Sequence, residues 1–97
     1  MKIKIVKVPT GQAPQEVRDL WVGCVLEVYG LNKDGVVRGV GDKKPQVNEH
    51  SFGYVVTKEE CIGELRRLDR HLAARFWEIA LPENEAIVFG RQFCEQY

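Results

Sequence analysis

The chain has 97 residues, enough for one domain with a single modest core. Lysine plus arginine equals aspartate plus glutamate at 14 each, so the formal net charge is zero. This weighs against nucleic-acid binding, which draws most of its affinity from cationic contacts to phosphate. A hydrophobic fraction of 44% with 29% charged residues is typical of a folded globular domain and argues against extensive disorder.

The chain shows no signal for export or membrane insertion. Met1 leads directly into a strand pattern with alternating lysines, and the longest apolar runs are far shorter than the ~20 residues that span a bilayer. Cys24, Cys61 and Cys94 are odd in number and far apart, unlike a disulfide framework. We therefore expect a cytoplasmic protein with reduced thiols and no membrane association.

The first predicted element is a strand over residues 2–8. Ile3 and Ile5 share one face, but Val6 and Val8 continue the apolar pattern with the opposite parity. Such a slip predicts a β-bulge that bends the strand. The alternative is a strand end that is partly covered on both faces.

A short helical turn follows. Pro14 suits a first helical position, where its missing N–H costs nothing. Val17, Leu20 and Trp21 then form one apolar face at helical spacing, and Gly23 ends the turn.

The middle of the chain predicts a β-hairpin and a long loop. Residues 24–29 read as a strand, and Gly35 closes a turn because glycine tolerates a positive φ. Residues 36–40 are then the partner strand of this hairpin. Residues 41–51 form a loop near the upper length for a compact domain, and such loops are either functional or mobile.

A capping box marks the start of the main helical region. Residues 52–56 are aromatic and β-branched and predict a strand. Thr57 and Glu60 follow with the spacing at which the hydroxyl accepts from the Glu60 N–H and the carboxylate reaches back to Thr57. A helix therefore begins at residue 58.

The helical region 58–80 contains one anomaly. Its predicted core arc comprises Ile62, Leu65, Leu72, Ala73 and Phe76. Asp69 falls in the middle of this arc, where burying a carboxylate is costly. Either Asp69 interrupts the core face of one helix, or the helix breaks there and Asp69 caps a second helix. We favour the break.

Residues 81–84 stop the helical region, and residues 85–96 form one long strand or two strands hinged at Gly90. The order of elements predicts an α+β fold. We expect a small bent antiparallel sheet or a partly open SH3-like barrel, with a helical insertion before the C-terminal strand or strands. An open sheet with the helix on one face is the alternative.

The sharpest enzymatic hypothesis is a nucleophilic cysteine. Cys61 lies one turn into a helix, where partial positive charge can lower the pKa of a thiol, and His50 or His71 is the candidate base. Glu59 and Glu60 oppose thiolate formation, and no cysteine-enzyme signature surrounds the residue. Packing is the competing explanation. Because no close cysteine pair exists, we expect neither a metal nor a cofactor.

Two further groups of residues were candidates for binding. Arg38, Lys43 and Lys44 form the best local basic patch, but they lack the interleaved aromatic residues that stack bases. Trp21 and Trp77 are candidates for an interaction surface, because tryptophan is enriched at binding hot spots. Both also lie at helical spacing beside apolar residues, which favours packing in the core.

Residues 13–18, reading Ala-Pro-Gln-Glu-Val-Arg, and residues 20–23, reading Leu-Trp-Val-Gly, resemble a segment of small bacterial proteins of unassigned function. Gly-Tyr-Val-Val at 53–56, before a helix, is similar too. The resemblance covers about a third of the chain. It implies a bacterial cytoplasmic origin and no particular activity.

These observations predict a non-catalytic interaction module that binds a protein partner or associates with itself. The alternative is a small enzyme or ligand-binding regulator that uses loop 41–51 with Cys61 or His50. Weak nucleic-acid binding through Lys43, Lys44 and Arg38 is a third hypothesis. A deep pocket lined by His50, Cys61 and Asp69 would favour the enzyme, whereas a shallow apolar groove would favour the interaction module.

Overall fold

In the computed structural model the described residues are 1–8, 13–37, 44–81, 83 and 85–97. The helices are α1 (Gln15–Asp19), α2 (Lys58–Arg67) and α3 (His71–Ala80). The strands are β1 (Lys2–Ile5), β2 (Val25–Glu27), β3 (Gly30–Asn32), β4 (Val36–Val37), β5 (Gln46–Val47), β6 (Gly53–Thr57), β7 (Ala86–Gly90) and β8 (Cys94–Gln96). Two 3₁₀ turns cover Glu49–Ser51 and Arg91–Phe93.

The strands form antiparallel sheets that share one core with the helices. One sheet has the order β2-β1-β8, a second has the order β3-β6-β7, and β4 pairs with β5. The α+β prediction is confirmed. The strands of the described ranges do not close into a barrel. The two-strand alternative for the C-terminus is correct, because the 3₁₀ turn after Gly90 separates β7 from β8.

The core lies between the two larger sheets and the helices. Ile3 and Ile5 of β1 are fully buried and alternate with exposed lysines, as the strand pattern predicted. Trp21, which follows α1, is also buried and lies against Phe89 of β7. Leu65 completes this core from α2. Burial of the apolar side chains of this core is the main stabilising contribution to the fold.

The apolar alternation shifts by one residue after β1, and the hydrogen bonds at that point are those of a β-bulge. The N–H groups of Val6 and Lys7 both donate to the carbonyl of Phe93, at 2.9 and 3.4 Å. One acceptor therefore faces two successive residues, and Val6 is exposed whereas Val8 packs on the core.

The predicted hairpin between residues 24–29 and 36–40 is wrong over the described residues, from which residues 38–40 are excluded. The chain changes sheets just after β2, because the N–H of Val28 donates to Met1 and the N–H of Tyr29 donates to Val55. As a result β2 pairs with β1, β3 pairs with β6, and β4 pairs with β5. The turn itself is correct, since Gly35 has φ +66°.

The predicted N-cap of α2 is confirmed, but its reciprocal bond is not. The Thr57 hydroxyl accepts from the N–H of Glu60 at 3.3 Å. The Glu60 carboxylate does not return to Thr57 and instead accepts from the N–H of Glu27 at 3.0 Å. Glu60 therefore ties the start of α2 to the end of β2, since the distant N–H of Glu27 replaces the local N–H of Thr57 as the donor to its carboxylate.

The helical region breaks at Asp69, but Asp69 does not cap α3. It has φ +57° and its N–H donates to Arg66, while the N–H of Arg70 donates to Leu65. This bonding pattern is a Schellman C-cap of α2, with Asp69 in the left-handed position that usually holds glycine. Arg70 is the N-cap residue of α3, without a side-chain capping bond.

The break changes which face of α3 is buried. Ala73 and Ala74 are buried, whereas Leu72, predicted to lie in the core, is 61% exposed. The left-handed residue rotates α3 relative to α2, so a single helical arc does not continue across the joint. Arg70 holds that joint in place, because its guanidinium donates to the carbonyls of Leu20 and Val22.

Candidate functional site

A cavity of about 240 Å³ opens between β7, α1 and α3. Its lining includes four aromatic side chains, the strand edge of β7 and one histidine. We call it the aromatic pocket, defined by Trp21, Trp77, Phe89, Phe93, Val88 and His50. The volume lies slightly below that of ordinary small-molecule sites and suits one side chain or a small fragment.

Contacts between the aromatic rings hold the pocket wall. The ring centroids of Trp21 and Trp77 are 5.8 Å apart, and Phe89 meets Trp21 edge-on at 5.1 Å. Phe76 supports Trp77 from within α3, also edge-on at 5.1 Å. These separations are those of favourable aromatic pairs, so the wall is rigid and apolar before any ligand arrives.

One polar atom in this wall is unsatisfied. The indole nitrogen of Trp77 is buried and has no hydrogen-bond partner among the residues that the structure describes. A buried donor without an acceptor costs about 1–3 kcal/mol. Most buried polar groups in proteins are paired, so an unpaired donor beside a cavity marks a position where a bound acceptor would be favourable.

The edge of β7 presents a second unsatisfied group. The backbone N–H of Arg91 donates to the carbonyl of Phe52, and the backbone N–H of Lys58 donates to the carbonyl of Glu85. These two bonds show which alternate residue pairs of the β6–β7 ladder are hydrogen-bonded. Residues of β7 that exchange hydrogen bonds with β6 are therefore Ile87 and Phe89. The N–H and C=O of Val88 point to the opposite side. They have no partner among the described ranges, in which β7 is the last strand of its sheet.

His50 lies at the rim of the pocket in a short polar chain. The side-chain amide of Gln92 is 2.8 Å from Nδ1, and the Glu49 carboxylate is 3.3 Å from Nε2. An amide nitrogen can only donate, so Nδ1 is the acceptor and Nε2 carries the hydrogen. The ring also tilts against Phe93 at 6.0 Å. These contacts orient His50 as part of the rim.

The other predicted catalytic candidates do not join His50. Cys61 is fully buried, and burial, reinforced by Glu60, raises the pKa of its thiol far above the usual range. A neutral, inaccessible thiol is a poor nucleophile. Asp69 is exposed at the joint between α2 and α3, 3.4 Å from His71. Neither Cys61 nor Asp69 lines the aromatic pocket.

Only one member of the predicted basic patch lies among the residues that the structure describes. Lys44 is exposed and lines neither of the two clefts described here, whereas Arg38 and Lys43 lie outside the described residues. Among the described residues, no three histidine, cysteine, aspartate or glutamate side chains are arranged to hold a metal ion. None of the described helices is both long and apolar enough to span a bilayer.

A second, larger cleft of about 710 Å³ lies between the start of α2, the end of α3 and the start of β7. We call it the acidic cleft, defined by Glu59, Glu78, Glu83 and Glu85 with Lys58 and Arg66. Its cations are engaged within the fold. Lys58 Nζ donates to the carbonyls of Glu78 and Leu81, and Arg66 forms an ion pair with Glu78.

Sequence reasoning identified His50, Trp21 and Trp77 without placing them together. Nothing in the local pattern shows that Val88 is at the edge of the sheet formed by the described strands, because that depends on which strands pair. The slip after Ile5 was the one available signal, since the bulge directs Val8 toward the pocket wall.

No protein-family model, curated protein or solved structure matches this chain. Its function therefore has to be argued from the chemistry of its own surface.

Proposed function

We propose that this domain is a non-catalytic interaction module. It binds an extended segment of a protein partner along the outer edge of β7, with one apolar side chain of that segment in the aromatic pocket. The observation that carries the proposal is the coincidence of the Val88 main chain, which has no partner among the described residues, with an aromatic cavity.

Strand addition explains why these two features occur together. In this mode of recognition, main-chain hydrogen bonds to a sheet edge provide affinity and a neighbouring pocket selects a side chain. The Val88 N–H and C=O supply one such pair of bonds, and the rings of Trp21, Trp77 and Phe89 supply the pocket. An anchor residue in a desolvated aromatic pocket is also the usual form of an interaction hot spot.

The unpaired indole of Trp77 supports the same proposal. Trp77 lines the pocket and its N–H has no acceptor among the described residues, so a partner acceptor placed against this N–H would be favourable. Such a bond would relieve a cost that the folded domain already carries.

A catalytic role has less support. The inaccessible Cys61 and the distant Asp69 do not form a nucleophile and base with His50, whose ring nitrogens already contact Glu49 and Gln92. Within the proposal the domain acts in the cytoplasm, and its three free cysteines suit a reducing compartment. The bacterial origin remains a prediction.

The test is selection from a phage-displayed library of random linear peptides, followed by binding measurements on purified variants. We expect selected peptides to share an apolar anchor and to bind with micromolar affinity. Val88→Pro removes the outward N–H without removing a bond to β6, so it should weaken binding at least tenfold while the domain remains folded. Val88→Thr is the matched control, since it keeps the N–H and the β-branch.

The proposal is overturned if no peptide is enriched, or if selected peptides bind Val88→Pro as tightly as the native domain. Sedimentation of the free domain tests self-association. A dimer that Val88→Pro dissociates would show that a second copy, rather than a different partner, occupies this edge.

A further inference from the structure

We infer that the partner segment carries acidic residues beside its apolar anchor. This inference rests on the proposed function and specifies the chemistry of the ligand. It follows from the way in which charge is divided between the two clefts of a chain that is neutral overall.

The described lining of the aromatic pocket contains no carboxylate. Its ionisable side chains are Lys7, Arg18 and His50. Lys7 is exposed and has no acidic partner within the described ranges. Glu49, the carboxylate next to this rim, contacts His50, is 85% exposed and does not line the cavity.

The pocket lining also carries hydrogen-bond donors. The Trp77 indole and the Lys7 ammonium can only donate, and the main chain of Val88 offers one donor with its acceptor. By contrast, the acidic cleft places four glutamates around one opening. An approaching acidic segment is therefore attracted to the aromatic pocket and repelled from the larger cleft.

Acidic residues at the anchor's flanks fit this division geometrically. In an extended segment, side chains alternate between faces, so the residues two positions from a buried anchor lie on the anchor's face, about 7 Å from it, above the pocket rim. Lys7 lies on that rim, and Arg91 directly follows Gly90 at the end of β7. We expect these cations to select the flanks while the aromatic rings select the anchor.

Three synthetic peptides test the inference directly. They share the centre Val-Phe-Val and carry a glutamate, a glutamine or a lysine on each side of it, two positions from the phenylalanine. At low salt we expect the glutamate peptide to bind about fivefold more tightly than the lysine peptide, with the glutamine peptide between them. Added salt should reduce this ratio, because the pairs are exposed.

Two charge-reversal variants test whether Lys7 causes the preference for the glutamate peptide. Lys7→Glu should bring the glutamate-to-lysine affinity ratio to about one or below. Lys33→Glu makes the same change in net charge at an exposed residue outside both clefts and should leave the ratio unchanged.

The possible failures are distinguishable. Equal affinity for all three peptides, each still weakened by Val88→Pro, overturns the acidic preference and leaves the interaction module intact. Tighter binding of the lysine peptide also overturns it. If none of the three binds, the proposed function and this inference both fail.

Discussion

The aromatic pocket and the acidic cleft share β7 and α3, yet they differ in how their polar groups are satisfied. Trp77 and Glu78 are adjacent in α3 and line different clefts. In the larger cleft, Lys58 and Arg66 are bonded within the fold. In the smaller one, the Trp77 indole and the Val88 main chain lack partners among the described residues. Polar groups that are hydrogen-bonded within the fold indicate a structural role, whereas polar groups without a partner indicate a binding surface.

Removing the lysine of the acidic cleft should have the largest effect on stability. Lys58→Met keeps the aliphatic stem but leaves the carbonyls of Glu78 and Leu81 without their shared donor. We expect a loss of about 2 kcal/mol in the free energy of unfolding, because hydrogen bonds from charged donors contribute about 1.5–3 kcal/mol. Urea denaturation measures it, with the exposed Lys44→Met as control. Weaker peptide binding at unchanged stability would reverse the roles assigned to the two clefts.

A substitution at Asp69, in the joint between α2 and α3, should have the next largest effect on stability. Asp69→Leu places a γ-branched residue at φ +57°, which should cost about 1–2 kcal/mol. Asp69→Asn should be nearly neutral, since asparagine tolerates this conformation. Thermal or urea unfolding of the two variants provides the comparison. A stabilised Asp69→Leu would contradict the left-handed cap.

The N-cap residue Thr57, beside the acidic cleft, should contribute somewhat less to the stability of the domain. Thr57→Ala removes the oxygen that accepts from Glu60 and should destabilise the domain by about 1 kcal/mol. Thr57→Ser retains the oxygen and serves as the control in the same denaturation series. Equal midpoints for the alanine and serine variants would mean that the cap adds nothing.

Cys94 at the start of β8, whose thiol donates to the carbonyl of Gly90, should show a smaller, pH-dependent effect on stability. Burial raises the pKa of Cys94 from its ordinary value of 9.0 to about 11. The unfolded thiol therefore loses its proton first, so this contribution to stability is complete below pH 9 and is lost as pH rises toward 11. Denaturation across this range should show a shallower decline for Cys94→Ser than for the native domain. Identical slopes would contradict the burial of this thiol.

Local chemistry predicted several elements correctly because their causes are local. Thr57 caps α2, Gly35 forms the turn, and the alternation of Ile3 and Ile5 places β1. The break at Asp69 was also predictable, because a carboxylate in an apolar arc is costly. Its role was not, since aspartate suits both an N-cap and a left-handed residue, and the choice depends on how α3 packs.

The pairing of strands and the site were less predictable because they depend on contacts distant in the chain. The switch from β2 to β3 between Val28 and Tyr29 follows from bonds to Met1 and Val55, which no local pattern reveals. Likewise, Glu60 bonds to Glu27, 33 positions away. The position of Val88 at the edge of the described sheet results from these pairings, so only the assembled sheets show it.

Amide hydrogen exchange at β7 tests the central claim most directly. In the free domain, the amides of Ile87 and Phe89 should be protected by β6, whereas the amide of Val88 should exchange rapidly. Saturation with a selected peptide should slow exchange at Val88 by at least tenfold while its neighbours change little. Protection of Val88 in the free monomer, or continued rapid exchange with peptide bound, would contradict recognition by strand addition at this edge.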